Sequence, residues 1–343
     1  MVYIGMDVSS KEFVVHVIDQ RKQKVFEGRI APSRAGLRKL IGDLGVGPKL
    51  FVFEAGNQMK WIALMLMRQA GVRIHVVHPN EVKWISQSNG KTDQVDARKL
   101  VHLAWGNLLP RPVHIVEGKT RQLRELVSAR EHLQGKRVAL INALRGTIRQ
   151  EGVRFPAKFF QRSDWKTSLE KLPLGSTQQL ILKSFMEAID ALKRSEEELT
   201  AKMLEIQDSR CDLLETIPAI GKIASRVIVS ALDDARRFDN KKCVANYGAL
   251  TPTIYQSGGT TNLGRINRDG RQEVRKVLLQ CAHTIQRTTN HPAAPIREFF
   301  ERIEKRRGKK RAVVATARKL LTIAYGVLKS GVPYDPERLR AFA

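Results

Sequence analysis

Four carboxylates in the N-terminal part of the chain have the placement of a cation site. Asp7 closes the apolar run VYIGMD, Glu54 ends the run LFVFE, and Asp93 and Asp96 lie in KTDQVDA. The last two are three residues apart, so on a helix they share one face. Carboxylates at the ends of neighbouring strands, with a pair on a helix packed over them, can converge at one sheet edge, where α/β folds place their ligands. Oxygen donors of this kind suit Mg²⁺, which takes one or two carboxylates and fills its remaining positions with water and substrate phosphate. Two such ions roughly 4 Å apart clamp the attacking and leaving oxygens of a phosphoryl transfer. Plainer roles exist for each residue. Asp7 before Val-Ser-Ser suits an Asx turn. Asp93 suits a helix N-cap, with Asp96 favouring the positive helix end, and Glu54 suits an exposed strand end.

A second set lies near the other end. ETIPAIGKIASRVIVSAL (215–232) puts Pro218 and Gly221 in a turn between two helical patterns. That is the pattern of a helix-hairpin-helix, whose backbone N–H groups hold a phosphate beside Lys222; a plain corner between core helices has the same spacing. In NYGALTPTIYQSGGTTNLGRINRDGR (246–271), Ser257 precedes Gly258 and Gly259, where a substrate backbone can approach closely. Arg265, Arg268 and Arg271 follow, able to hold the phosphate being transferred. A serine hydroxyl attacking phosphorus would leave a covalent protein–DNA intermediate that keeps the phosphodiester energy. The bland reading of Ser-Gly-Gly is a turn. Tyr255 is a rival nucleophile, but a tyrosine recombinase wants an Arg/His cluster, and only His283 and His291 lie nearby in sequence.

The elements that must position these residues follow from periodicity. Val2–Asp7, Phe13–Ile18 and Lys24–Ile30 read as strands, Gly36–Leu44 as a helix, Leu50–Glu54 as a strand, Trp61–Gln69 as a helix and Arg73–Val77 as a strand, with a further helix starting near Asp93. A hairpin run followed by strand–helix alternation predicts an α/β domain, a mixed sheet covered by helices, over 1–112. Residues 113–210 turn helical and charged. Leu126, Leu133 and Leu140 keep a seven-residue seam flanked by Leu123 and Leu144. Leu182, Phe185, Ile189, Leu192, Leu199 and Met203 keep heptad spacing interrupted by Glu196. The turn-rich stretch 152–176 between them predicts an all-α coiled-coil connector, either an internal hairpin or a dimerising one. Residues 211–343 read as a mostly helical domain with Gly-rich turns, ending in the basic run ERIEKRRGKKR (301–311) and an apolar helix through Tyr325–Leu328.

Composition narrows the partner. Among 343 residues, 60 Lys and Arg oppose 34 Asp and Glu, a formal net charge of +26. So large a surplus repels itself unless an acidic partner offsets it, and counterion release makes a polyanion the favoured ligand. Arg306, Arg307, Lys309, Lys310 and Arg311 are the obvious contacts; a solvated helix face is the alternative. No long apolar span or basic amphipathic helix points to a membrane. Three cysteines without C-x-x-C spacing argue against a disulfide framework or a zinc site. With no charged-then-apolar leader in VYIGMDVSS, the expected location is the cytoplasm, at the bacterial nucleoid. Trp61, Trp84, Trp105 and Trp165 are few, and nothing resembles an aromatic stacking module.

Taken together, GMDVSSKEF, FVFEAGN, KTDQVDARKL, TIPAIGKIAS and YGALTPTIYQSGGTTNLGRINRDG resemble the insertion-sequence transposases with a DEDD RuvC-like N-terminal domain and a serine-bearing C-terminal domain, a family that includes Piv-type pilin invertases. The resemblance implies a ribonuclease H/RuvC-like fold for the N-terminal domain. It implies that Asp7, Glu54, Asp93 and Asp96 bind Mg²⁺ (or Mn²⁺), as two ions, and that Ser257 is the nucleophile. It also implies guidance by an element-encoded bridge or seeker RNA, and a homodimer assembling to a tetramer in which tetrad and serine come from different subunits. Guide pairing would then carry sequence specificity while the protein grips backbones. Three other readings stay open. One is a RuvC-type Holliday-junction endonuclease using metal-activated water. Another is an actin-like ATPase, which lacks a later Gly-rich phosphate loop here. The third is a non-enzymatic RNA-binding protein.

Overall fold

The computed structural model describes residues 1–82, 93–156, 158–257 and 260–341. These form two compact units, Met1–Ile115 and Val116–Ala343. Trp84, Gly258 and Gly259 lie outside the described residues.

In the first unit, β1 (Val2–Val8), β2 (Phe13–Ile18) and β3 (Lys24–Ile30) form an antiparallel meander. After α1 (Arg34–Asp43), β4 (Lys49–Glu54) joins parallel to β1. After α2 (Met59–Leu66), β5 (Val72–Val77) joins parallel to β4. The order β3-β2-β1-β4-β5 makes one mixed sheet, as the hairpin-then-alternation pattern requires. β2 is an interior strand and wholly buried, which explains a run that is apolar but for His16. One face packs Met6, Phe51 and Phe53 against α1 and α2 through Leu37, Ile62 and Leu66. The other face is covered by α3 (Asp93–Trp105), with Val52 and Val77 against Leu100 and Ala104.

The second unit opens with α4 (Gly118–Gln150), then α5 (Trp165–Glu170) and α6 (Ser176–Glu205). α4 and α6 run antiparallel, paired from Arg130–Thr200 through Arg137–Glu196 to Glu151–Gln178. Their outer ends share a core of Leu144, Ile148, Leu182, Met186 and Ile189, closed by Phe159 and Leu169. Their inner ends, with Leu123, Val127 and Met203, enter the same core as the C-terminal helices. The burial departs from the expected seam. Leu123 and Leu144, expected on its flanks, are fully buried, while Leu126, Leu133 and Leu140 are half-buried. Over so long a helix the 3.6-residue turn drifts off a strict seven-residue repeat, and the inner end of α4 turns toward a different neighbour. Glu196 does not interrupt the second pattern: it sits in the seam, 7% exposed, held by Arg137 through bonds of 2.6 and 3.2 Å.

The C-terminal core is built from α7 (Ser209–Glu215), α8 (Lys222–Leu232), α9 (Lys241–Tyr247), α10 (Gln272–Ile285), α11 (Ala294–Arg307), α12 (Lys309–Ser330) and the short α13 (Pro336–Ala341). Cys211 and Cys281 lie inside it, and burial pushes both thiols up to about 11. One expectation fails here. The segment after α9 is not only turns between helices: β6 (Pro252–Ser257) and β7 (Thr260–Ile266) form an antiparallel hairpin. The signal was the β-branched and aromatic run PTIYQS facing TTNLGRI across Gly-Gly. Among the described residues no helix is long and apolar enough to cross a membrane.

The pairing of Glu196 predicts a non-additive pair of substitutions. Glu196→Leu alone should lower stability by about 1–3 kcal/mol, because it strands the Arg137 guanidinium. Adding Arg137→Leu should restore most of that loss. Denaturant unfolding of the two variants checks it, and an additive double mutant would remove the seam role.

Candidate active site

The four carboxylates are positioned by one close approach. Gly5, in the middle of β1, lies directly under α3. A Cβ there would overlap the Ala97 carbonyl oxygen and stand 3.0 Å from Val101 N. Only glycine lets the helix settle this close. Side chains alternate along a strand, so Asp7 shares the α3 face with Gly5. Val52, paired with Gly5, faces α3 as well, which puts Glu54 on that same face. β1 and β4 are parallel and in register up to Met6↔Phe53, so Asp7 and Glu54 come next, side by side.

The direction of α3 completes the arrangement. Arg98 Nη2 donates to Glu27 Oε1 at 2.9 Å. Glu27 is level with Gly5 through the pairs His16↔Glu27 and Gly5↔His16. Trp105 Nε1, at the far end of α3, donates to the Gln20 carbonyl at 3.0 Å, beyond the end of β2. The helix therefore runs opposite to β1. Asp93 stands four residues before Ala97, about 6 Å along the axis, and Asp7 stands about 6.6 Å beyond Gly5 along the strand. Asp7, Glu54 and the start of α3, which carries Asp93, thus lie toward the same edge, with Asp96 one helical step from Ala97. A further hydrogen bond ties that edge: Gln58 Nε2, just past Glu54, donates to the Ser9 carbonyl, just past Asp7, at 2.6 Å.

The donor set is all oxygen, which fits a hard divalent cation. Asp96 Oδ1 is buried and has no hydrogen-bond partner, with Lys99 Nζ at 4.0 Å. A buried carboxylate oxygen left this way is costly unless something cationic completes it. Glu54 and Asp93 are exposed, Asp7 and Asp96 half-buried. Among the described residues, no three such side chains close into a ready cation cage.

Ser257 ends β6, paired with Thr260. The hairpin stands clear of its domain: Ile254 and Tyr255, which point to opposite faces, are 61% and 66% exposed. Tyr255 thus lies in solvent on the hairpin, beside Gly264. The hairpin is anchored at its base. Asn246 Oδ1 accepts from Thr251 Oγ1 at 2.9 Å and from Asn267 Nδ2 at 3.3 Å. A Cβ on Gly270 would strike Ala249 N, Tyr247 O and Asn246 O at 2.6–2.7 Å. Ser257 is carried about 17 Å beyond that base.

The expected phosphate contacts divide. Lys222 is exposed at the start of α8, where Gly221 caps without a side chain. The turn before it is fixed by Glu215, which accepts from Ser225 at 2.9 Å and Arg226 at 2.7 Å. Arg268 is exposed. Arg271 is engaged inside the fold with Tyr247 Oη at 3.3 Å and Glu273 at 3.2 Å. Against the cost of burial, these two partners raise its pKa above the ordinary arginine value. The basic run does not lie on one helix: Gly308, at φ +77, breaks it. Arg306 and Arg307 end α11, where cations are favoured, while Lys309, Lys310 and Arg311 open α12 without any first-turn acid, where cations are disfavoured.

Lys310, Arg311 and Arg265 meet in a groove of about 1140 Å³ whose lining, among the described residues, contains no carboxylate. Lys241 and Lys242 from α9 and Arg318 and Lys319 from α12 join them. These four escaped the sequence reading because they sit far apart in short, mixed segments. Burial, with Lys241 and Arg302 facing it, holds the Lys319 ammonium below the usual lysine range.

Two transposase family models cover these regions. One, of the DEDD IS110 type, matches residues 4–152, and the model of the IS116/IS110/IS902 transposase family matches residues 211–297. The chain belongs to the IS110-type transposases. It is 24% identical to the transposase for insertion sequence element IS1111A of Coxiella burnetii over 95% of this chain and 89% of that protein. It is 22% identical to the transposase for element IS1328 of Yersinia enterocolitica over 97% and 98%. A pilin gene-inverting protein of Moraxella bovis is 35% identical over 37% of this chain and 39% of its own length. The five-stranded mixed sheet is consistent with a DEDD nuclease-like domain.

Gly5→Ala should force α3 off the sheet. The expected loss is about 1–3 kcal/mol of stability from overpacking, together with transposition activity, checked by thermal unfolding and an excision assay; full activity would show that α3 need not sit so close. A pH dependence follows from Glu27, whose hydrogen bonds from Arg98 and Lys24 hold its carboxyl down to about 2. Its depressed value means the Arg98 tether is fully present above the ordinary glutamate range and is lost as pH falls toward 2. Trp105 fluorescence should report that loss, and Glu27→Gln should abolish its pH dependence.

Proposed function

We propose that this transposase excises and inserts its own element by a two-part chemistry. Asp7, Glu54, Asp93 and Asp96 would hold Mg²⁺ (or Mn²⁺), as two ions, and Ser257 would be the nucleophile. The observation that carries the reading is the shared edge: Asp7 and Glu54 side by side on the α3 face, with Asp96 on the helix above it carrying a buried oxygen that has no hydrogen-bond donor. Bound there, the ions would offset the phosphate's charge and stabilise the leaving oxygen. The serine oxygen would bond to phosphorus as the bond between phosphorus and the departing sugar oxygen breaks. The hydroxyl proton is released and the departing sugar oxygen takes one up, leaving a phosphodiester to the protein that a second strand end can attack.

A serine on a projecting hairpin suits delivery to carboxylates on another subunit, which supports a homodimer assembling to a tetramer. The turn between α7 and α8, with exposed Lys222 at a helix start, supports a helix-hairpin-helix phosphate grip. The charge of +26 supports a bound guide RNA encoded by the element. Sequencing the RNA retained through high salt, after expression with the flanking non-coding DNA, tests that part. One discrete element-encoded species is expected; a smear of cellular RNA would reduce the charge to nonspecific grip.

Asp96→Asn and Ser257→Ala should each lower strand exchange by about a thousandfold or more. They should differ in trapping. Asp96→Asn leaves the nucleophile in place, while Ser257→Ala removes any covalent DNA–protein species on denaturing gels. Cleavage that survives in Ser257→Ala would point instead to junction cutting by metal-activated water.

A further inference from the structure

The groove beside the hairpin base has two characters at once. Its rim is cationic, and its floor is apolar, made by Leu250, Ile266, Val314 and the ring of Phe299. Phe299 is half-buried, unlike its neighbour Phe300, which is fully buried in the core. The cationic groups of Arg302 and Lys319 lie 5.6 and 5.7 Å from its ring centroid. A rim of cations without carboxylates calls for a polyanion. A duplex would offer this groove only phosphates and sugars, leaving the aromatic floor wet. Unpaired nucleotides satisfy both parts, with phosphates on the rim and a base on the ring. One wall of the groove is the hairpin itself, through Pro252, Gly264 and Arg265. A strand lying here therefore leads onto the element that ends in Ser257.

We infer that this groove binds unpaired nucleotides of the DNA strand being exchanged, stacking one base on Phe299 and holding its phosphates with Lys310, Arg311 and Arg265. The inference rests on the strand-exchange reading and adds a site that distinguishes single strands from duplex. Burial first, then Lys241 and Arg302, depress Lys319, and the same cations would attract phosphate.

The test uses the full chain in EDTA, with a fluorescein-labelled oligothymidylate, a duplex of the same length and an oligouridylate. Phe299→Leu keeps the apolar floor but removes the ring face. It should weaken oligothymidylate binding about tenfold and leave duplex binding within about twofold, while Phe299→Trp retains or tightens the single strand. Lys310→Gln with Arg311→Gln should reduce the salt dependence of single-strand binding by about 1.4 in the logarithmic slope. Lys193→Gln with Arg194→Gln, on the exposed face of α6, should leave single-strand binding unchanged. Equal losses for single strand and duplex, or none, would overturn the groove as a single-strand site. Tighter, Phe299-dependent binding of oligouridylate would overturn DNA as its occupant. A wild-type chain that binds none of the three probes would sink the strand-exchange reading as well, whereas wild-type binding untouched by the Phe299 variants would sink the groove alone.

Discussion

The contact between Gly5 and the backbone of Ala97 and Val101 sets the geometry of the N-terminal unit. A helix normally rides on a sheet at a distance fixed by side chains. Here one strand position has none, and α3 drops until its backbone meets the strand. That depth brings the start of the helix to the ends of two parallel strands. Arg98 on Glu27 and Trp105 on the Gln20 carbonyl then fix its angle. The acidic positions thus depend on backbone packing well away from any acid. Like charges do not draw together by themselves, so the placing of Asp7 beside Glu54 has to come from the scaffold.

The C-terminal unit solves a different problem. A two-stranded hairpin exposed on both faces is marginal by itself. Its order is borrowed from the base, where Asn246, Asn267 and the tight passage at Gly270 lock it to α9 and α10. These residues surround the sequence that bears Ser257, and their types follow from the geometry. Asn246 accepts from the side chains at both ends of the hairpin, Thr251 and Asn267, and glycine admits three backbone atoms at close range.

Much of this was legible in the sequence. Short apolar runs bounded by turns marked the strands and the acids at their ends, because burial on two faces leaves a run of that length. The helix pair was legible from its seven-residue spacing, but not its seam: α4 shares itself between two cores, and a single period cannot describe two partners. Glu196 looked like a fault in the pattern because spacing alone does not reveal Arg137 across the interface. The hairpin was hidden by its glycines, which read as loops when counted locally. The groove was hidden because its cations come from α9, β7 and α12, and only folding adds them together.

The long helix pair carries a mechanical consequence. Its inner ends belong to the C-terminal core, while its outer ends close around Phe155, Phe159, Phe160 and Trp165, whose rings pack on one another. From Arg130 to Gln150 the outer part of α4 extends about 30 Å. Two helices joined along their length and knotted at the far end by aromatic packing bend little. Such an arm has leverage: a tilt of about ten degrees at its root sweeps its tip through about 5 Å. A repacking at the base too small to disturb the core would thus be felt as a large displacement at the tip, and a load on the tip would return to the core as torque.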